Sequence, residues 1–178
     1  NRELIRSQSL AQNVRVEYGN GICLIVGLYD LVDRNSGKVL RYPDPNEYGA
    51  APVEPPSEGG AAAPAQGLTT AGNGSPVEYD FIGTGFHVGG GYIVTNKHVL
   101  QPWTEDDLVK QMMRSSNGRA RVKKLVIYFP GTAQPFPLRV RDTGSREDIA
   151  VASVDAATLP AQIPALPLEP DSQASTIG

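Results

Sequence analysis

The chain has 178 residues, 40% of them hydrophobic and 20% charged, with a net charge of −3. That is length enough for one domain with a real core, while the weakly acidic balance and the lack of any Lys/Arg block argue against a nucleic-acid surface. No apolar run approaches the ~20 residues of a membrane-spanning helix, and a single cysteine, Cys23, allows neither an intrachain disulfide nor a cysteine metal cluster.

In chain order, "NRELIRSQSL" opens without Met and without an apolar leader, as expected of a processed or excised chain. Residues 3–12 are read as a short helix. "NVRVEYGNGICLIVGLYDLVD" then reads as two strands around the turn Gly19-Asn20-Gly21. Cys23 lies in the apolar run, where a thiol packs as a small hydrophobe. "IVG" at 25–27 belongs to the same run and reads as core. A turn at "RNSGK" brings "VLRY" back as a partner.

Residues 43–76 hold seven Pro, six Gly and seven Ala and almost no large apolar residues. Such a stretch builds no core and is expected to be a flexible surface insertion. Strand pattern resumes with "VEYDFIGTGFHV", turns at Gly89-Gly90-Gly91 and continues as "YIVT". "NKHVL" is long enough for one helical turn. "WTEDDLVKQMM" has helical spacing, with Thr104 as its cap, Trp103 stapled to Leu108, and an apolar face of Leu108, Val109, Met112 and Met113. Asn117-Gly118 ends it. "RARVKK" alternates as a solvated strand edge. "KKLVIYF", "FPLRVRD" and "DIAVASV" read as strands, the last interior because both its faces are small or apolar. The tail from Asp155 carries little pattern. Short strands between turns, with one real helix, predict an antiparallel barrel or sandwich.

The chain has two histidines, His87 and His98. His87 sits within a strand and is expected to be exposed. His98 follows a strand end, a place that holds an imidazole on a firm base with its tip free. A general base needs a carboxylate to orient it. Asp148, opening an apolar strand, is the candidate, while Asp142 and Glu147 read as solvated loop charges.

"GTGFHVGGGYIVTNKHVL" at 83–100, followed by "DIAVASVD" at 148–155, resembles the trypsin-like (chymotrypsin-fold) serine peptidases, most of all their HtrA-like bacterial branch. The resemblance rests on Thr95-Asn96-Lys97-His98-Val99 and on Asp148-Ile149-Ala150-Val151. It implies an all-β fold: a six-stranded antiparallel β-barrel, the N-terminal half of such an enzyme, with a short helix after the catalytic His. The barrel would occupy 1–160 and the start of a linker to a second barrel 161–178. His98 would be the general base and Asp148 its orienting carboxylate, with no metal or organic cofactor and a polypeptide substrate.

The family's nucleophile lies in a Gly-x-Ser-Gly type motif after the Asp, and these 178 residues hold none there. The expectation is therefore an incomplete enzyme, inactive alone, whose partner is a C-terminal barrel carrying the serine. A fragment exposing the face that meets that barrel is expected to self-associate. By analogy the branch works outside the bacterial cytoplasm, in the periplasm or tethered to a membrane. The alternative reading is a non-catalytic barrel that serves as a protein-binding or scaffold module.

Overall fold

The computed structural model describes residues 12–44 and 67–169. Residues 3–11 of the helix expected at 3–12 and most of the expected insertion lie outside them. The chain is mostly β. Its strands are β1 (Ile22–Asp33), β2 (Glu78–His87), β3 (Tyr92–Thr95), β4 (Gly118–Tyr128), β5 (Phe136–Pro137), β6 (Arg139–Thr143) and β7 (Ala150–Ser153). They form one sheet in the order β5-β4-β1-β2-β3-β7-β6. The pairs β2–β3, β3–β7, β4–β5 and β6–β7 are antiparallel.

Seven strands stand where six were expected, because "FPLRVRD" changes partner midway. Phe136 and Pro137 pair with β4, the Leu138 N–H bonds Leu125 O at 3.0 Å, and Arg139 onward pairs with β7. The two ends of the sheet are thus consecutive in the chain, and the sheet is a nearly closed barrel. Closure of this kind leaves little free strand edge.

The described residues divide into two compact units. The first comprises 12–26, 82–100 and 125–169 and holds part of every strand. Its core is Cys23, Ile25, Ile93, Leu100, Ile127, Phe129, Phe136, Leu138, Ala150, Ala152, Val154 and Ile163. The inward residues alternate along β1 and β3 as a half-buried strand requires. Cys23 is core as expected, and burial pushes its thiol up to about 12. "IVG" is mid-strand, with Ile25 fully buried.

The second unit comprises 27–44, 67–81 and 101–124, around Tyr29, Leu31, Leu40, Val77, Val109 and Met112. Tyr29 stacks on Tyr79 and meets the Trp103 edge, with ring centroids 5.3 and 5.1 Å apart. Asp30 is 0% exposed and is held by Arg121, Nε to Oδ1 at 3.0 Å and Nη2 to Oδ2 at 2.5 Å. Lys123 pairs with Glu78 on β2.

Several local expectations are corrected. Residues 12–18 are helical (α1), where 13–18 was expected to be a strand. Val14 and Val16 alternate, but both face solvent, Val16 at 82% exposure, so the alternation has no core to answer it. Gly19–Gly21 forms a single 3₁₀ turn into β1. The helix expected at 103–113 is instead a 3₁₀ turn at Pro102–Thr104 followed by α3 (Asp107–Ser115), while the helical turn expected at "NKHVL" is present as α2 (Lys97–Leu100). Asp106, not Thr104, caps α3 by accepting from Val109 N at 3.0 Å. The cap lies past the 3₁₀ turn, and this shift leaves Leu108 exposed while Val109 and Met112 are buried.

Within the segment expected as an insertion, Thr69 and Pro76 each bridge to Arg41. Gly74 lies against Tyr42, whose carbonyl oxygen would be 1.8 Å from an added Cβ. Residues 67–76 are therefore fixed onto the returning strand. The tail is docked as well: Ile163 is buried and Leu166 N bonds His87 O at 2.8 Å.

Candidate active site

β3 and β7 are antiparallel neighbours, with Thr95 opposite Ala150. Where β3 ends, β7 begins. The residues just past Thr95 and those just before Ala150 must therefore meet at one rim of the barrel. This converts fifty residues of separation into a contact, and it places Asn96, Lys97 and His98 against the loop that carries Asp148.

The contact is close. His98 Nδ1 lies 2.6 Å from Asp148 Oδ2, and the His98 backbone N–H donates to Asp148 Oδ1 at 2.9 Å. Asp148 is an acceptor when ionised, so Nδ1 carries the proton in the neutral ring. Nε2 then holds the lone pair. Among the described residues no group bonds it, and the side chains of His98 and Asp148 are 48% and 51% exposed. Asn96 Nδ2 donates to both Asp148 O and Oδ2 at 3.1 Å. Lys97 Nζ donates to Gly144 O at 2.8 Å.

The Asp148 carboxyl is held below its ordinary range, first by the His98 backbone N–H; desolvation is the next largest influence and opposes the shift, and the His98 ring and the Asn96 amide add to the lowering. An anionic carboxylate beside Nδ1–H favours the tautomer with Nε2 free and stabilises the ring when Nε2 takes a proton. The arrangement can therefore abstract and return a proton at Nε2.

The loop is short and tied to itself. Gly144 N bonds Ile149 O at 2.8 Å. An added Cβ at Gly144 would be 2.5 Å from Glu147 O, so the loop closes only with glycine there.

The strand β2 delivers the other histidine inward. His87 is 7% exposed, which corrects the expectation of an exposed strand residue. Its Nδ1 is 3.0 Å from Pro164 O, and its ring meets Phe129 edge-on. A carbonyl only accepts, so Nδ1 donates, and Nε2 is buried with no partner among the described residues. The docked tail covers the ring, and the pattern of β2 alone gave no sign of that tail. Among the described residues no three His, Cys, Asp or Glu side chains come together as a metal-binding group. Asn96 and Lys97 carry contacts to the Asp148 loop that sequence reasoning did not assign. Their only signal was membership of the 95–99 motif around His98.

No protein-family model matches the chain, and no curated protein matches it.

Proposed function

We propose that the chain is the N-terminal barrel of a trypsin-like serine endopeptidase of the HtrA-like kind. His98 acts as general base and Asp148 fixes its tautomer and stabilises the imidazolium. The nucleophilic serine is supplied by sequence beyond Gly178. In the complete site His98 Nε2 takes the serine proton as the hydroxyl attacks the peptide carbonyl, then gives it to the leaving amine. The observation that carries the reading is the 2.6 Å Nδ1–Oδ2 contact with Nε2 left open at the barrel rim. The seven-stranded, nearly closed antiparallel barrel supports it as a scaffold.

The test is the coding sequence past Gly178, followed by assay of the longer chain. A downstream Gly-x-Ser-Gly segment, cleavage of unfolded casein, and serine labelling by a fluorophosphonate that is lost in His98→Ala are the expected results. A continuation without such a serine, or labelling indifferent to His98, would leave the barrel as a binding module.

A further inference from the structure

Asp148 sits on an exposed loop, with half of its side chain in solvent. Packing does not fix a carboxylate there, and water competes for both of its oxygens. What fixes it is a set of hydrogen bonds from three consecutive residues. The His98 N–H takes Oδ1 and its Nδ1–H takes Oδ2. Asn96 spans the backbone oxygen and Oδ2 of the same residue with one amide nitrogen. Both of its partners are acceptors, so only the amide nitrogen fits; the flipped amide would set oxygen against oxygen. Lys97 grips the other end of the loop at Gly144 O. The loop is thus held at its first and last residues by the two side chains that precede the histidine.

We propose that Asn96 and Lys97 are positioning residues: they clamp the 144–148 loop so that the Asp148 carboxylate stays on His98 Nδ1–H. The assignment of a catalytic purpose to this clamp rests on the peptidase reading; the clamp itself does not. Asn96 sets the rotation and depth of the carboxylate. Lys97 sets the height of the loop. Neither side chain has a hydrogen bond to His98 Nε2.

The experiment uses the present chain, ¹⁵N-labelled at its two histidines. The Nδ1–H proton of His98, identified by its loss in Asp148→Asn, is followed by NMR and its exchange with water measured. Asn96→Ala and Lys97→Met should each speed exchange about tenfold, the effect of losing one charge-assisted hydrogen bond. Lys97→Arg, which keeps a donor, should restore the slow rate. The urea midpoint should fall no further than that tenfold change accounts for, about 1.4 kcal/mol or roughly 0.7 M, in the first two, and stay native in Lys97→Arg, since these side chains lie at the rim and outside the core.

Exchange at the native rate in both Asn96→Ala and Lys97→Met overturns the proposal. So does a fall in the unfolding midpoint well beyond that amount, because the faster exchange would then be general loosening. In the longer chain the clamp predicts a fall in kcat with KM unchanged. Faster exchange in a longer chain that hydrolyses nothing would uphold the clamp and sink the peptidase reading alone.

Discussion

Arg121→Met tests the buried carboxylate of the second unit. Asp30 has no exposure, and a single guanidinium holds both of its oxygens. Methionine keeps most of the aliphatic stem and removes the charge with both bonds. Removing one partner of a buried pair costs about 3–5 kcal/mol, because the remaining charge is stranded. The Arg121 side chain is 42% exposed, so water reaches the vacated position and the lower end applies, about 3 kcal/mol. With a urea dependence of about 2 kcal/mol per molar, the midpoint should fall by roughly 1.5 M. Trp103, the only tryptophan, packs on Tyr29 next to Asp30 and reports unfolding of this unit by fluorescence. The double variant Asp30→Leu/Arg121→Met should recover most of the loss, since replacing a buried ion pair by apolar side chains is often near neutral. A fall of less than about 0.5 kcal/mol in Arg121→Met would refute the argument. So would a double variant no better than the single one, because the stranded charge would then not be the cost.

Other expected outcomes are these. Gly27→Ala places a Cβ 2.0 Å from the Phe81 ring and should cost about 1–3 kcal/mol in urea unfolding, with relief from Phe81→Leu. The folded-state pKa of Asp148 is depressed, so its pairing with His98 is fully present above the ordinary carboxylate value of about 3.9 and is lost as pH falls through a lower value. A ¹³C carboxyl titration should show this midpoint rising in His98→Ala but staying short of the ordinary value, because the backbone N–H remains. His87→Ala should speed hydrogen exchange at the Leu166 amide by freeing the tail from the ring; unchanged exchange would show the tail held by Ile163 alone. Ile22, Leu24, Ile82, Phe86 and Tyr92 face solvent from the adjacent strands β1, β2 and β3. Self-association at high concentration is therefore expected by light scattering, and a clean monomer would count against it.

Much of the fold was legible because its signals are local. The strands at 78–87 and 92–95, the glycine turn between them and the helical turn at His98 follow from alternation and from three glycines, all of which adopt positive φ. The errors lie where a distant partner decides. Val14 and Val16 alternate like a strand, yet no sheet edge meets them. "FPLRVRD" reads as one strand because periodicity does not reveal a change of partner at Leu138. His87 reads as exposed because the tail that buries it lies 77 residues away. Asp30 sits inside "YDLV" with no hint of its cation, since Arg121 is 91 positions on.

The pairing of His98 with Asp148 was expected from the family resemblance, because fifty residues of separation do not by themselves convert into a distance. Neither His98 nor Asp148 has a local signal that names its partner. Each is fixed relative to a strand end, however, and strand ends are what short apolar runs reveal best. Once β3 and β7 are antiparallel neighbours with Thr95 opposite Ala150, the third residue past one end and the second before the other share a rim. A register slip of two residues would keep every inward side chain inward. It would also shift Asp148 by about 7 Å along the strand and take it out of reach of Nδ1. The burial pattern alone does not forbid that slip. The bulge between Val140 and Asp142 on β6 adds a constraint: it fixes where β7 sits on its other side, with Arg141 Nε bonded to Ser153 Oγ at 2.6 Å. β7 is thus pinned from β6 by the bulge and, just past the end of β3, by the hydrogen bonds that Asn96 and His98 make to Asp148. The contact between the two residues depends on both.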